Sequence, residues 1–263
     1  MASPRQRAAR WRYVQYAVLV LAVAVVVLVA DWDQLQRAFF NWEVVKDQFP
    51  RVLTVALKNT IIYTACGFSF GLVLGLFLAL MRLSSVGPYR WISTAVIELF
   101  RGLPALVVFI ALSVGFRLAF PDREIPFGNL GVVTLALGLV GGAYMAETIR
   151  AGIQAVPKGQ MEAARSLGMT HSRAMISVVV PQAFRIILPP LTNELILLTK
   201  DSSLVYILGL SLSGYELTKF GREGMNSAAN LTPIVVISLC YLLITVPLSI
   251  VVRRMESRAE RAR

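Results

Sequence analysis

The chain has 263 residues, 56% of them hydrophobic, with a mean hydropathy of +0.66 and a formal net charge of +11. This hydrophobicity exceeds that of soluble domains, and several apolar runs reach the roughly 18 residues that cross about 30 Å of hydrocarbon. The basic residues lie at the ends of these runs and in alternate loops, which indicates membrane topology rather than nucleic-acid binding. We therefore expect an all-α polytopic membrane protein.

The residues that usually perform catalysis or hold metals are scarce. Cys66 and Cys240 fall inside apolar segments, so they are interpreted as small core residues and not as a disulfide or metal pair. His171 is the only histidine of the sequence, which excludes a histidine-based metal cluster. No G-x-x-x-x-G-K-[ST] phosphate loop occurs, so this chain is not expected to hydrolyse ATP alone. A membrane-bound enzyme is accordingly disfavoured.

Residues 1–50 are predicted to hold a basic N-terminal segment, a first span and an external segment. Four arginines precede an apolar run over residues 14–30. This run is either a span with a cytoplasmic N-terminus or a signal sequence, and its length and poor cleavage pattern favour the span. Residues 31–50 carry four acidic and two basic side chains, which places them outside.

The second and third predicted spans open a transmembrane domain over residues 51–256. The second span, about residues 52–81, carries Gly67, Gly71 and Gly75 at four-residue spacing, which lets another helix approach one face closely. An amphipathic helix follows from residue 91. Gly102 and Pro104 interrupt it, so we predict a kink into a third span over the apolar run 105–114.

Three further spans complete the prediction, at about residues 131–149, 186–210 and 232–252. Between the first two of these lies a positively charged internal segment, about residues 153–185, and residues 211–231 are expected outside. A basic cytoplasmic tail occupies residues 257–263. Every loop assigned inside is positive and every external one is neutral or negative, so six spans with both termini inside are self-consistent.

The internal segment contains a short predicted helix, MEAARSLGM. Ala163 and Ala164 would let this helix lie close against a partner, and Glu162 near its start would be favoured by the helix dipole. Gly168 would end it with a permissive turn. A polar helix held between two spans can transmit a push as a rigid body, whereas the alternative is a loop that merely connects the spans.

Six ionisable side chains are predicted to lie in or beside spans, and each is a candidate for a translocation path because a charge in a span is costly unless it is paired or faces water. They are Glu98, Arg101, Glu147, Glu194, Lys200 and Asp201. Glu194 and Asp201 are seven residues apart and share a helical face, and Lys200 could neutralise Asp201 or a group on another helix. The alternative is that such pairs only pin helices together or lie at lipid headgroups.

One motif resembles a known family. The run EAARSLG followed by VVVP is similar to the EAA loop of membrane subunits of ATP-binding-cassette importers, with Glu162, Ala163, Ala164, Gly168 and Pro181 in register. Valines replace the usual Ile and Leu before the proline. IELFRGLP at 97–104, GGAYMAETIRAGI at 141–153, VVPQAFRIILPPL at 179–191 and LLTKDSSL at 197–204 extend the resemblance to polar amino acid permeases over residues 52–256.

The resemblance implies a permease subunit of a binding-protein-dependent amino acid importer in the bacterial cytoplasmic membrane, with a five-span core and one additional N-terminal span. It implies a second permease subunit, identical or related, and an external binding protein. An ATPase dimer would bind ATP and Mg²⁺, with no cofactor in this chain, and its grooves would seat the five EAA-loop residues. The family handles glutamine, glutamate, basic amino acids and cystine. An ion-gradient-driven transporter with Glu194 and Asp201 as its ion site is the alternative.

Overall fold

The structure, a computed structural model, describes residues 4–261, and in this part of the chain helices are the only regular secondary structure. The helices are α1 Pro4–Val29, α2 Trp32–Phe39, α3 Trp42–Gln48, α4 Lys58–Leu83, α5 Gly87–Gly102, α6 Ala105–Ile110, α7 Phe116–Ala119, α8 Asn129–Gln154, α9 Lys158–Ser166, α10 His171–Ala174, α11 Val180–Asp201, α12 Leu217–Ala228 and α13 Thr232–Arg261. π-Helical turns at Val52–Leu57, Ala111–Gly115 and Met175–Val179 join consecutive helices into longer stretches, and 3₁₀ turns occupy Ser202–Ile207 and Leu212–Gly214.

Five helical stretches within the described residues are long and apolar enough to span a membrane. They are Trp11–Val29, Val52–Leu83, Asn129–Gln154, His171–Ile207 and Thr232–Ser257. A sixth is available if α5 and the stretch Ala105–Ala119 count as one span, since the two are bent by 104° at their junction. The predicted all-α polytopic class is confirmed. The predicted kink is confirmed as well, because the bend falls at Gly102 and Pro104.

Helices α4 and α8 form the closest helix pair. A Cβ added to Gly71 would lie 3.1 Å from the carbonyl oxygen of Gly138, and one added to Gly75 would lie 2.8 Å from that of Gly142. The glycine stripe predicted on α4 therefore meets backbone on α8, as small residues at helix contacts in membranes do. Residue numbers rise together along both helices, so α4 and α8 run in the same direction.

This parallel arrangement decides how many times the chain crosses. If α4 and α8 both span in one direction, the connection between Leu83 and Asn129 must return across the membrane. The bent pair of α5 and α6–α7 is the only long apolar stretch in that connection. This pair is therefore the candidate for the return, and it brings the number of candidate spans from five to six with α1 included.

The remaining long helices pack around this pair. Helix α11 runs antiparallel to α8, because Leu198 lies against Gly141 whereas Ile187 lies against Gly152, eleven residues further along α8. Helix α13 packs on α11, where the side chains of Thr192 and Met255 meet. Helix α1 makes no comparable contact, and its apolar window has no buried residue. We call the end of the bundle where α8 joins α9 the α9 end.

The helical stretch that contains the fifth span begins earlier than the predicted residue 186, at His171. Pro181 does not interrupt the helix, although proline lacks an N–H and its ring clashes with the carbonyl four residues before it. The π-helical turn Met175–Val179 contains that carbonyl, at Ser177, and absorbs the irregularity. At 1.5 Å per residue the 37 residues of His171–Ile207 extend about 55 Å, so the stretch is longer than a bilayer core is thick.

The segment 211–231, predicted to be external, is partly exposed and partly packed into the bundle. It turns back into the bundle, where the backbone N–H of Leu217 donates to Thr60 Oγ1 at 3.1 Å. From there α12 runs outwards beside α13, and Gly221 packs against Ile237. Leu217 is fully buried with Val52 in a second hydrophobic cluster. Helix α12 therefore packs its first turn into the bundle, while residues 226–229 at its end are exposed.

Candidate functional site

Helix α9 stands between the spans α8 and α10–α11 on two short linkers. Its C-terminus closes on Gly168, whose φ of +86° is the left-handed conformation that only glycine adopts freely. The N–H groups of Gly168 and Met169 return to the carbonyls of Arg165 and Ala164 at 2.9 and 3.2 Å. This is a Schellman cap, and it confirms the predicted helix end.

The exposed side of α9 differs in part from the prediction. Ala163 and Glu162 are exposed, but Ala164 is buried against the chain itself, so the two alanines do not share an outward face. The largest apolar group on that outward surface is Leu167, which is 85% exposed. Sequence reasoning missed it, although a leucine directly before the capping glycine of a polar helix was an available signal.

Glu162 does not occupy the first turn of the helix. Because α9 begins at Lys158, Glu162 is its fifth residue, and the first turn holds no acidic side chain. The favourable dipole interaction predicted for Glu162 is therefore wrong, since that effect falls off within the first turn. The Glu162 side chain is exposed on the surface of the helix.

Pro181 lies apart from α9, at the exposed beginning of α11. Its neighbour Gln182 nevertheless reaches back to α9, because the Gln182 Nε2 donates to Gln160 Oε1 at 3.3 Å. The residues of the EAA motif thus form two nearby surfaces on α9 and early α11.

Two of the predicted charge pairs meet in one cluster at the α9 end. Arg150 donates to Glu147 at 2.8 Å, one turn apart on α8. Arg82, at the end of α4, donates to the same carboxylate and lies 3.9 Å from Glu98 on α5. Glu98 is also 3.9 Å from Arg101. The sequence predicted the pairs within helices but not that Arg82 joins them.

Tyr144 adds an uncharged contact to this cluster. The Arg101 guanidinium lies over its ring, 5.4 Å from the centroid, and the Tyr144 hydroxyl donates to the Arg101 carbonyl at 3.4 Å. The C-terminal turn of α5 is therefore held on α8 by a cation–π contact as well as by charge. We call Arg82, Glu98, Arg101, Glu147 and Arg150 the ionic cluster.

The predicted charges of α11 are arranged differently. Glu194 and Asp201 are partly buried and Lys200 is exposed. Within the described residues none of these three takes part in an ion pair, so Lys200 does not neutralise Asp201. Nor does the described chain hold a group of three His, Cys, Asp or Glu side chains placed to bind a metal.

Glu216 is a buried acid that sequence reasoning did not single out. Its side chain is fully enclosed and caps α12, accepting from the backbone N–H groups of Thr218 and Lys219 at 2.5 and 2.6 Å. The Tyr241 hydroxyl of α13 donates to it at 3.1 Å. Burial raises the pKa of Glu216 to about 7, against the lowering effect of these hydrogen bonds. Its role is to seat α12.

Comparison with known proteins shows which family this chain resembles. The family described as "Binding-protein-dependent transport system inner membrane component" matches residues 71–261. The L-cystine transport system permease protein TcyB of Bacillus subtilis is 38% identical over 224 residues, which cover 84% of this chain and 92% of that protein. The probable glutamine ABC transporter permease protein GlnM of the same organism is 36% identical over 207 residues, which cover 78% of this chain and 91% of the relative.

Solved structures extend the similarity to the fold. The crystal structure of an amino acid ABC transporter with histidines is 33% identical, has a TM-score of 0.73 and covers 83% of this chain and 98% of that one. A transporter chain involved in the import of the acidic polysaccharide alginate is only 12% identical, but its TM-score is 0.65 over 98% of this chain. At that identity the likeness concerns the fold alone.

Proposed function

Since the chain belongs to the family of binding-protein-dependent transport system inner membrane components, we propose that it is the permease subunit of an ATP-driven amino acid importer. The observation that carries this proposal is its similarity, over most of its length, to permeases of amino acid transport systems. The subunit provides the membrane path, and a separate ATPase supplies the energy. An external binding protein delivers the amino acid.

The surface of α9 fits the task of binding that ATPase. Its exposed side combines an apolar tip, Leu167, with the polar Glu162 and the small Ala163. An apolar anchor beside a polar rim is typical of protein interfaces. The proposal places ATP and Mg²⁺ in the ATPase and none in this chain, with the α9 end and both termini in the cytoplasm.

The amino acid path lies between this subunit and a second one, identical or related. The contact of α4 with α8 supports this arrangement, because backbone meets backbone there and no passage is left between the two helices. Glu194 and Asp201 stay candidates for the path, since they are partly accessible on α11 and have no cation paired with them in the described chain. A zwitterionic solute needs an anionic partner for its amino group.

The test is purification of the tagged subunit from its native membrane with identification of what accompanies it. We expect an ATPase, lost on Leu167→Asp and weakened on Glu162→Ala, because a charge at an apolar anchor typically costs about 2 kcal/mol or more of binding, roughly a 30-fold loss of affinity. Leu212→Asp is the matched control. Leu212 is an exposed leucine near the opposite end of the bundle, and its replacement leaves ATPase recovery unchanged.

Uptake by the reconstituted complex distinguishes an ATP-driven importer from an ion-gradient-driven secondary transporter. An importer takes up radiolabelled amino acid only with ATP on the side of the vesicle membrane that carries the ATPase and with the binding protein on the other side. A subunit that purifies alone and transports on an ion gradient without ATP would refute the proposal and favour the secondary transporter.

A further inference from the structure

The ionic cluster joins three helices at the point where α9 attaches. Its centre is partly shielded, with the side chains of Arg82 and Glu147 exposed by 23% and 19%, whereas Glu98 at its edge is 59% exposed. Ion pairs that are partly withdrawn from water are less screened by salt than surface pairs. The cluster therefore connects the three helices at a defined position and is not a set of unrelated surface charges.

Helix α8 connects α9 to the ionic cluster. Only residues 155–157 separate the two helices, and Val156 among them is buried in the core. Arg150 stands one turn before the end of α8 and Glu147 one turn earlier. A displacement of α9 is thus delivered to Glu147 through a short linker and two turns of rigid helix.

Helices α4 and α5 have no comparable connection to α9. Neither is adjacent to α9 in the chain, and each is held to α8 at the α9 end through the cluster. Helix α4 is also held to α8 along the glycine contact, so the attachment that depends on the cluster is that of the last turn of α5, through Glu98 and Arg101. That turn ends at Gly102, where the 104° bend into α6 begins.

On the basis of the proposed function, we infer that Arg82 is the positioning residue through which movement of α9 and of the packed α4–α8 pair is transmitted to the α5–α6 bend. Its guanidinium bridges the carboxylates of Glu147 and Glu98, so one side chain connects three helices. The short crossing α6–α7 then follows α8 when the ATPase moves α9. The inference assigns to the predicted path residues Glu98, Arg101 and Glu147 a mechanical role.

The bridge depends on a positive charge at the end of α4. The Arg82 nitrogen Nη1 makes both contacts, and its 3.9 Å approach to Glu98 is an ion pair without a hydrogen bond. A lysine ammonium keeps this charge but ends a shorter side chain. Arg82→Lys is therefore expected to keep the contact with Glu147 and to weaken the bridge to Glu98. Arg82→Ala removes both.

The experiment measures amino acid transported per ATP hydrolysed. The subunit, with its copurified ATPase and binding protein, is reconstituted into vesicles, and uptake of radiolabelled glutamine, arginine and cystine is measured beside phosphate release. With Arg82→Ala we expect ATPase binding and hydrolysis to persist while the transport ratio falls about tenfold, within the range usual for coupling between sites. Arg82→Lys is expected to recover part of the ratio, which a purely structural role would not predict.

Arg90→Ala is the matched control, since Arg90 is an exposed arginine at the start of α5 that makes no ion pair among the described residues. For Arg90→Ala, the amount of amino acid transported per ATP hydrolysed should equal that of the unaltered protein. If Arg82→Ala does not assemble, Glu147→Gln is scored instead, because it removes the same ion pair and keeps the side-chain shape. An unchanged ratio in the scored variant overturns the inference. Loss of ATP-dependent uptake in the unaltered protein contradicts the proposed function instead.

Discussion

At the scale of single residues, Glu216 is the most constrained acid in the described chain. It is fully enclosed, it holds two backbone N–H groups and a tyrosine hydroxyl, and no cation pairs with it in the described chain. A buried carboxyl without a cation favours its neutral form. The packing of α12 at its N-terminus is consequently sensitive to the protonation of Glu216.

The stability of the folded protein should therefore depend on pH through Glu216. Its pKa is raised to about 7 in the fold, above the ordinary value near 4.3, so the folded state holds the proton over this interval and the unfolded state does not. The stability contributed by Glu216 is fully present below about pH 4.3 and is lost as pH rises through about 7, by on the order of 3–4 kcal/mol. Thermal unfolding in detergent at about pH 5, 6, 7 and 8 measures this slope.

Two variants make that measurement specific. Glu216→Gln keeps one of the two acceptor oxygens and cannot titrate, so its unfolding temperature should vary less with pH than that of the unaltered protein, whatever its absolute value. Glu223→Gln, which changes an exposed acid on the same helix, should keep the original slope. Equal slopes in Glu216→Gln and the unaltered protein would contradict the assignment.

At the scale of elements, the fold depends on the glycine contact between α4 and α8. Gly75→Ala would place a methyl group 2.8 Å from the Gly142 carbonyl oxygen, and backbone cannot yield as a flexible side chain can. Such overpacking typically costs about 1–3 kcal/mol. We expect a lower unfolding temperature of the purified subunit for Gly75→Ala.

The control for this prediction is Gly115→Ala in the bent pair, where a Cβ meets nothing within 4 Å. It should unfold at or above the temperature of the unaltered protein, because alanine favours helix more than glycine does. If both variants unfold alike, the close approach of α4 to α8 does not limit stability.

The sequence predicted features that depend on neighbours along one helix. The stripe of Gly67, Gly71 and Gly75, the kink at Gly102 and the cap at Gly168 are of this kind, and the structure confirms them. Each follows from local geometry, namely the spacing on a helical face or the backbone freedom of glycine.

Features that depend on partners far along the chain could not be predicted in this way. The periodicity of α4 places Arg82 at its end but does not reveal Glu147, which lies 65 residues away. Glu216 in a polar segment gave no sign of Tyr241. The early start of the helix that leads into the fifth span was not predicted, because a π-helical turn accommodates Pro181.

At the scale of the whole molecule, the six crossings depend on the bent pair. Val86 precedes this pair and Phe127 follows it, and the two are exposed by 46% and 85%. Their sides of the membrane therefore report directly whether the pair crosses. A non-crossing pair would put both residues on one side.

Cysteine labelling in intact cells tests this topology. We expect Phe127→Cys to react with a membrane-impermeant thiol reagent, and Val86→Cys to react only after the cells are permeabilised. The unaltered protein, with buried Cys240 and partly buried Cys66, measures the background. Labelling of both positions from outside would show that α5 to α7 do not cross.

The packing of α12 against α13 has a consequence for how the protein is made. A ribosome completes α12 before it synthesises α13, yet Tyr241, Ile237 and Pro233 of α13 form one wall of the α12 seat. The segment 211–231 can therefore reach its packed position only after the last helix has been made. A nascent chain cut short before residue 232 retains the α4–α8 core but lacks that wall.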